Sequence, residues 1–451
     1  MSDLRAAVDQ VLPSVRQDLE RLVRIRSVSA DPEAATEVQA SAAAVADLAS
    51  GAGATEVDVL SAEGGAPAVL ARWTAPAGAP TVLLYAHHDV QPTGELADWT
   101  SPPFEPTERA GRLYGRGAAD DKAGVMAHLA ALRAFDGRPP VGVTLLVEGE
   151  EEIGSPTFRA FLRAYRDRLA ADVIVVADSV NWTVETPSLA TSLRGLVDCV
   201  VEVRVLGHAV HSGMFGGPVV DALTSLCRLL ATLHDENGDV AVAGLTRANP
   251  AKVEYPERRY RTEAAVLDEV QLTGSGSISD RMWTRPAISV VALDATRVAE
   301  AANVLVPVAR AKVSLRIAPG EHPRTALDAL ADHLRGHAEH GARVTVTDGS
   351  LGPPCELDMT KPAFGVAHAA FVEAFGRPPV QTGLGGTIPF IAEFATSYPD
   401  AAVLVTGVED PDSRAHGIDE SLHLEQFAKV CLAETLLLEK LSQGDGPSGE
   451  S

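Results

Sequence analysis

The chain has 451 residues, of which 46% are hydrophobic, and a formal net charge of -23. Length and apolar content suffice for two domains with real cores, and the charge argues against a nucleic-acid or anionic-membrane partner, since both bind through Lys and Arg that release counterions. No uninterrupted apolar run is long enough to span a bilayer, so a soluble globular protein is expected.

The N-terminal stretch MSDLRAAVDQVLPSVRQDLERLVRIRS alternates charges along an amphipathic pattern. It lacks the basic start, apolar block and small-residue cleavage site of a signal peptide. Further on, strand-like runs in TVLLYAHHDV, VGVTLLVEGEEE and ADVIVVADSV alternate with helical runs such as DKAGVMAHLAALRAF and SPTFRAFLRAYRDRLAA. That alternation predicts an α/β sheet. Each of the three strand runs ends in acids or histidine, and open α/β sheets gather ligands outside the carboxyl ends of their strands.

The middle of the chain reads differently. Strand DCVVEVRVLG, helix PVVDALTSLCRLLATLHD, strands PAISVVALDA and ARAKVSLRIAPG, helix HPRTALDALADHLRGHAE and strand ARVTVTDGS follow in the order βαββαβ of a ferredoxin-like domain. We expect an insertion over 190–350, with residues 1–189 and 351–451 forming one domain, because helical and strand-like sequence resumes in KPAFGVAHAAFVEAF and AAVLVTGV. The polar stretch 236–285 is an irregular excursion with no assigned role, and the SQGDGPSGES tail is expected to be disordered. The four cysteines, Cys199, Cys227, Cys355 and Cys431, show no metal-ligand spacing. They are expected to be reduced core residues of a cytoplasmic protein.

Chemistry concentrates at the strand ends. YAHHDVQP places His87 and Asp89 two apart, on one face of an extended segment, the pairing in which an acid orients a metal-binding ring. GRGAADDKAG supplies Asp120 and Asp121, EGEEEIGS supplies Glu151 and Glu152, VVADS supplies Asp178, and DPDSRAHGIDE supplies His416. Singly, an acid-rich turn is a solvated loop or a helix start, and Asp178 a helix cap. Together, these carboxylates and two histidines could bind two divalent cations with three protein ligands each, if one carboxylate bridges.

The motifs YAHHDVQP, GRGAADDKAG, EGEEEIGS, VVADS, AVHSGMFGG, VSLRIAPG, GLGGTIP and SRAHGIDE occur in this order over nearly the whole chain. In this they resemble the di-zinc peptidase family of carnosinase, cytosolic non-specific dipeptidase, acetylornithine deacetylase and succinyl-diaminopimelate desuccinylase, and most of all its carnosinase-like dipeptidases. Ala123 departs from the glycine those dipeptidases tend to carry after DDK. The resemblance implies an α/β/α catalytic domain with a central mixed sheet, interrupted by a ferredoxin-like lid and dimerisation domain.

It also implies two Zn²⁺ per subunit, with Mn²⁺ or Co²⁺ as substitutes. His87, Asp120 and Asp178 would hold one ion; Asp120, Glu152 and His416 would hold the other. Asp120 would be the bridge, followed by a cis peptide to Asp121. Asp89 would orient His87, and Glu151 would be the general base toward the bridging water. His211 is expected to reach the partner subunit's active site and stabilise an oxyanion, and Arg316 to bind the substrate carboxylate. Asn303, Gly386 and Thr387 would add contacts to the substrate backbone. Aspartate at 178 accompanies recognition of a free amino terminus, so the resemblance favours a dipeptidase; through the inserted domain it also implies a homodimer. An N-acyl- or N-carbamoyl-amino-acid amidohydrolase and a non-catalytic metal- or peptide-binding protein stand as alternatives, and an intact Glu151 argues against the last.

Overall fold

The computed structural model describes residues 2–386 and 388–444. The chain divides into two compact units: one takes residues up to Thr191, Leu357–Gln381 and the chain from Pro389 on, the other Ser192–Glu356 with the short return Thr382–Ile388. No helix among the described residues is long and apolar enough to cross a membrane.

A six-stranded sheet organises the first unit. From edge to edge its strands are Glu56–Leu60, Ala68–Trp73, Gly142–Glu148, Thr81–His87, Val173–Val176 and Ala402–Val405. The last four run parallel, while Ala68–Trp73 lies antiparallel to Gly142–Glu148. The sheet is therefore mixed, as expected. Its central strands are buried along nearly their whole length, as continuous apolar runs covered by helices on both faces require. On one face, Tyr85 stacks on Phe390 with ring centroids 4.0 Å apart, beside Phe158 and Phe394. On the other, helix Lys122–Ala134 packs with Ser2–Val23 and Leu424–Ser442. Lys122 is fully buried, and its ammonium caps the carbonyl end of the first helix by donating to the oxygens of Leu22 and Ile25 at 2.9 and 2.8 Å. Burial pushes its pKa down to about 7.

The second unit is built on an antiparallel sheet in the order Ala287–Asp294, Val308–Ile317, Gly195–Arg204, Arg343–Gly352. That is the ferredoxin-like arrangement the βαββαβ order predicts. Helices Ala222–Ala231 and Pro323–Gly336 cover one face, where Val201, Val313, Leu315, Leu226 and Leu330 close the core. Burial alternates along Val308–Ile317, the pattern of a strand with one wet face. The 236–285 excursion includes two short helices, Glu257–Glu263 and Ile278–Trp283, where irregular chain was expected. Cys199, Cys355 and Cys431 are buried free thiols, but Cys227 is exposed. The expectation of four core cysteines fails there because helix Ala222–Ala231 buries only the face carrying Ala222, Leu226 and Leu229.

Candidate metal centre

Parallel strands open at one edge of the sheet, and the candidate site forms there. His87 ends its strand. Glu151 and Glu152 stand in a single 3₁₀ turn after Gly142–Glu148, closed by Gly154 in the left-handed conformation (φ 84°). Asp178 follows Val173–Val176, and His416 lies in the loop after Ala402–Val405. Asp120 precedes helix Lys122–Ala134, and its peptide bond to Asp121 is cis.

The two oxygens of Asp120 face different histidines. Oδ1 lies 3.1 Å from His87 Nε2, and Oδ2 lies 3.1 Å from His416 Nε2, which is also 3.2 Å from Glu152 Oε2. Three overlapping groups have ligand atoms within 4.8 Å of one another: His87 with Glu151 and Asp178, His87 with Asp120 and Glu152, and Asp120 with Asp178 and Glu409. His87 Nδ1 lies 3.0 Å from the Asp89 carbonyl oxygen and 3.4 Å from its Oδ1. A carbonyl only accepts, so Nδ1 carries a proton, and Nε2 is the nitrogen turned to the cluster, where it donates to the Asp120 carboxylate and would give its lone pair to a bound cation instead. The Asp89 carboxylate also accepts from the backbone N–H groups of Glu151 and Glu152, at 3.2 and 3.0 Å. One acid thus sets the ring and the turn that bears the two glutamates.

So many acids in one buried place repel each other. Burial, then the charges of Asp120 and Glu152, pushes Asp178 up to about 7 against the pull of His87. Burial and Asp178 hold Glu151 well above the ordinary carboxylate range. Burial and Asp120 raise Glu152 and Glu409. Asp120 is held low: burial opposes, but the hydrogen bonds of His416 and His87 prevail, and His87 likewise holds Asp89 low against its burial. His416, hydrogen-bonded to Asp120 and Glu152, is pushed up to about 11. Buried acids gathered around an acid-bridged pair of histidines are groups that a bound cation would stabilise. A mixed imidazole and carboxylate donor set suits divalent cations such as Zn²⁺, Mn²⁺ and Co²⁺.

EGEEE also separates by role. Glu148, still on the strand, accepts from the Tyr85 hydroxyl at 2.6 Å, and burial pushes it up to about 8. Glu150 turns away to accept from the N–H groups of Ala66 and Thr157, at 3.0 and 2.7 Å. Only Glu151 and Glu152 enter the cluster. Glu409 was not foreseen, although it follows the strand Ala402–Val405 and the strand-end rule that singles out Glu151 applies equally to GVEDPD. Gln91 was also missed: its side-chain amide donates to Glu152 Oε2 at 2.8 Å and its backbone N–H to Oε1 at 3.1 Å.

In the second unit, His211 is exposed, and its Nδ1 accepts from Gly213 N–H at 3.1 Å. It sits opposite Val304, and the N–H of Ser212 donates to Asn303 oxygen at 2.9 Å, so His211 and Asn303 are neighbours. Arg316 is half-buried near the far end of Val308–Ile317, opposite Leu196, with its pKa lowered by burial. Beside that end, Arg194 donates its Nε to Gly385 oxygen at 3.2 Å, placing the Gly385–Gly386 loop at the Arg316 end. Gly386 is exposed; Thr387 lies outside the described residues.

Known proteins resemble this chain over most of its length. A dipeptidase of cysteinylglycine S-conjugates from Corynebacterium striatum is 35% identical over 80% of this chain and 81% of its own. The Beta-Ala-His dipeptidase of Rattus norvegicus is 27% identical over 82% and 80%. The crystal structure of human carnosine dipeptidase 1 superposes with a TM-score of 0.82 at 24% identity, covering 98% of each chain. Residues 83–440 match the family described as Peptidase family M20/M25/M40, and the chain belongs to that family.

Proposed function

We propose that the protein is a metal-dependent dipeptidase that binds two divalent cations, zinc foremost. The observation that carries this reading is Asp120, whose two carboxylate oxygens each face a different histidine at 3.1 Å. His87 and Asp178 on one side, and His416 and Glu152 on the other, complete two three-ligand sets with Asp120 shared. When bound, the cations polarise the scissile carbonyl and acidify an attacking water. Glu151, within 4.8 Å of His87 and Asp178 and no ligand in these sets, takes the proton from that water and returns it to the leaving amine. Its raised affinity for a proton in the absence of cations fits a base lodged among other acids. Asp89 keeps the Nε2 of His87 free to ligate. The dipeptidase relatives named above support a dipeptide substrate, with Cys-Gly conjugates and β-Ala-His as first candidates.

Arg316 binds the substrate carboxylate with its planar fork, and His211 stabilises the developing oxyanion. Register within the second unit supports dividing this task between two chains. The ladder between positions 308 and 316 runs roughly 26 Å at about 3.3 Å per residue, and His211 lies beyond its 308 end while Arg316 lies at the other. A dipeptide spans only about 7 Å. One substrate therefore meets Arg316 of one chain and His211 of a second copy. The edge strand Ala287–Asp294, with Val290, Val291 and Leu293 about half exposed, offers a self-complementary surface for such a homodimer.

The test is a panel of Cys-Gly, β-Ala-His, other dipeptides, N-acetyl and N-carbamoyl amino acids, assayed after chelation and after adding back Zn²⁺, Mn²⁺ or Co²⁺. Hydrolysis of dipeptides that disappears in chelator and returns with metal is expected. Full activity in metal-free protein, or turnover of the N-acylated compounds alone, would overturn the proposal.

A further inference from the structure

We infer that Arg116 and Glu420, to which no role was assigned above, form a buried clamp that sets the distance between Asp120 and His416 before any cation binds. Glu420 is completely buried and Arg116 is 1% exposed. Both carboxylate oxygens of Glu420 are filled: Oε1 accepts from the N–H groups of Ala119 and Asp120 at 2.9 and 3.0 Å, Oε2 from Gly117 N–H at 2.9 Å and Arg116 Nη1 at 2.6 Å. Arg116 Nη2 then donates to the oxygens of Pro92 and Gly417, at 3.2 and 3.0 Å. A single ion pair thus joins three loops, those of His87 (through Pro92), Asp120 and His416 (through Gly417 and Glu420 itself).

The His416 loop needs holding. Arg414, His416 and Asp419 adopt the left-handed conformation, with φ of 56°, 62° and 58°, a region sparsely populated by residues other than glycine. A loop in that state keeps one shape only if its surroundings over-determine it. Glu420 does so while gripping the amide of Asp120 itself, so the 3.1 Å approach of His416 Nε2 to Asp120 Oδ2 is built by the protein. These are positioning residues: neither lies in the ligand sets.

The carboxylate is essential to the scheme. All four groups facing it are donors, and an isosteric amide would turn an NH₂ toward two N–H groups. Glu420→Gln is therefore expected to weaken Zn²⁺ binding roughly 10–100-fold, the usual cost of losing a partner behind metal ligands, as read by competition with a chromophoric chelator. In the apoprotein, amide hydrogen exchange across 115–121 should accelerate in the same variant. Glu434→Gln is the control: Glu434 forms a buried pair with His128 at 2.6 Å, touches none of these amides, and should lower the melting temperature while leaving Zn²⁺ affinity at the wild-type value. Wild-type affinity and exchange in Glu420→Gln would overturn the clamp, and so would an equal loss of affinity in Glu434→Gln. Should Glu420→Gln not fold, Arg116→Lys, which keeps the charge but loses the fork, decides by the same two readouts. The inference rests on Asp120 and His416 being ligands; wild-type protein that binds no Zn²⁺ would defeat that reading, whereas unchanged exchange in the apoprotein defeats the clamp alone.

Discussion

The two sheets treat functional residues in opposite ways. In the first unit the strands ending at His87, Glu148 and Val176 run parallel, so residues that follow them meet at one edge although hundreds of positions separate His87 from His416. In the second unit neighbouring strands run antiparallel, and His211 follows beyond one end of the strand pair that carries Arg316 near its other end. Parallel order concentrates a site within one chain. Antiparallel order distributes such residues, and under the proposed function two of them serving one small substrate would come from two copies.

The convergence half of this contrast is broken most severely at Asp120. Asp120→Ala should lose both cations, measured by elemental analysis, and activity should fall to background, because the two proposed ligand sets share that carboxylate, whose two oxygens face different histidines. Next in size is Glu151→Gln. Both cations should stay bound while kcat falls roughly 10²–10⁴-fold, the range for a positioned general base. Loss of metal would mean that Glu151 is itself a ligand.

Arg316→Lys sharpens the other half. It keeps the charge and loses the bidentate fork, so KM for dipeptides should rise roughly 10–100-fold, matching about 1.5–3 kcal/mol for hydrogen bonds to a charged group. An unchanged KM would place the substrate carboxylate elsewhere.

The smallest effect tests the scaffold behind the parallel strands. His128 is buried between Glu434 and the Tyr85 carbonyl, its Nδ1 2.6 Å from the carboxylate and its Nε2 2.9 Å from the oxygen. Burial pushes its pKa down, but the charge and hydrogen bond of Glu434 outweigh it and hold the value above the usual 6.5. A raised histidine pKa gives stability that is complete below the unfolded value of about 6.5 and lost as pH rises through the folded one. The stability advantage of wild type over His128→Gln, on the order of 1–3 kcal/mol at pH 6, should therefore shrink as pH rises above 6.5. A gap independent of pH would show that the ring is not charged in the fold.

The contrast also explains what could be read without a structure. Strand ends were legible because apolar runs stop abruptly at His87, Glu148 and Val176, and the βαββαβ order was legible from periodicity. Glu409 falls under the same rule, but GVEDPD carries three acids and no local pattern says which of them turns into the cluster. Arg116 and Glu420 could not be read at all. Their meaning lies in four donors converging on one carboxylate from a loop some 300 positions away, which only the fold brings together. Nor does any local pattern separate Glu148 and Glu150 from their neighbours; the strand's last buried turn does that. Strand register, likewise, is what sets His211 and Arg316 apart.

The claim that the second unit divides its work between two copies has a direct measurement. His211→Ala and Glu151→Gln chains, each inactive alone, are mixed and allowed to exchange subunits. A heterodimer then holds one site with an intact Glu151 served by an intact His211 from the partner, so activity should return to at most about a quarter of wild type at equal mixing. No recovery despite demonstrated exchange, or a fully active monomer, would contradict the account.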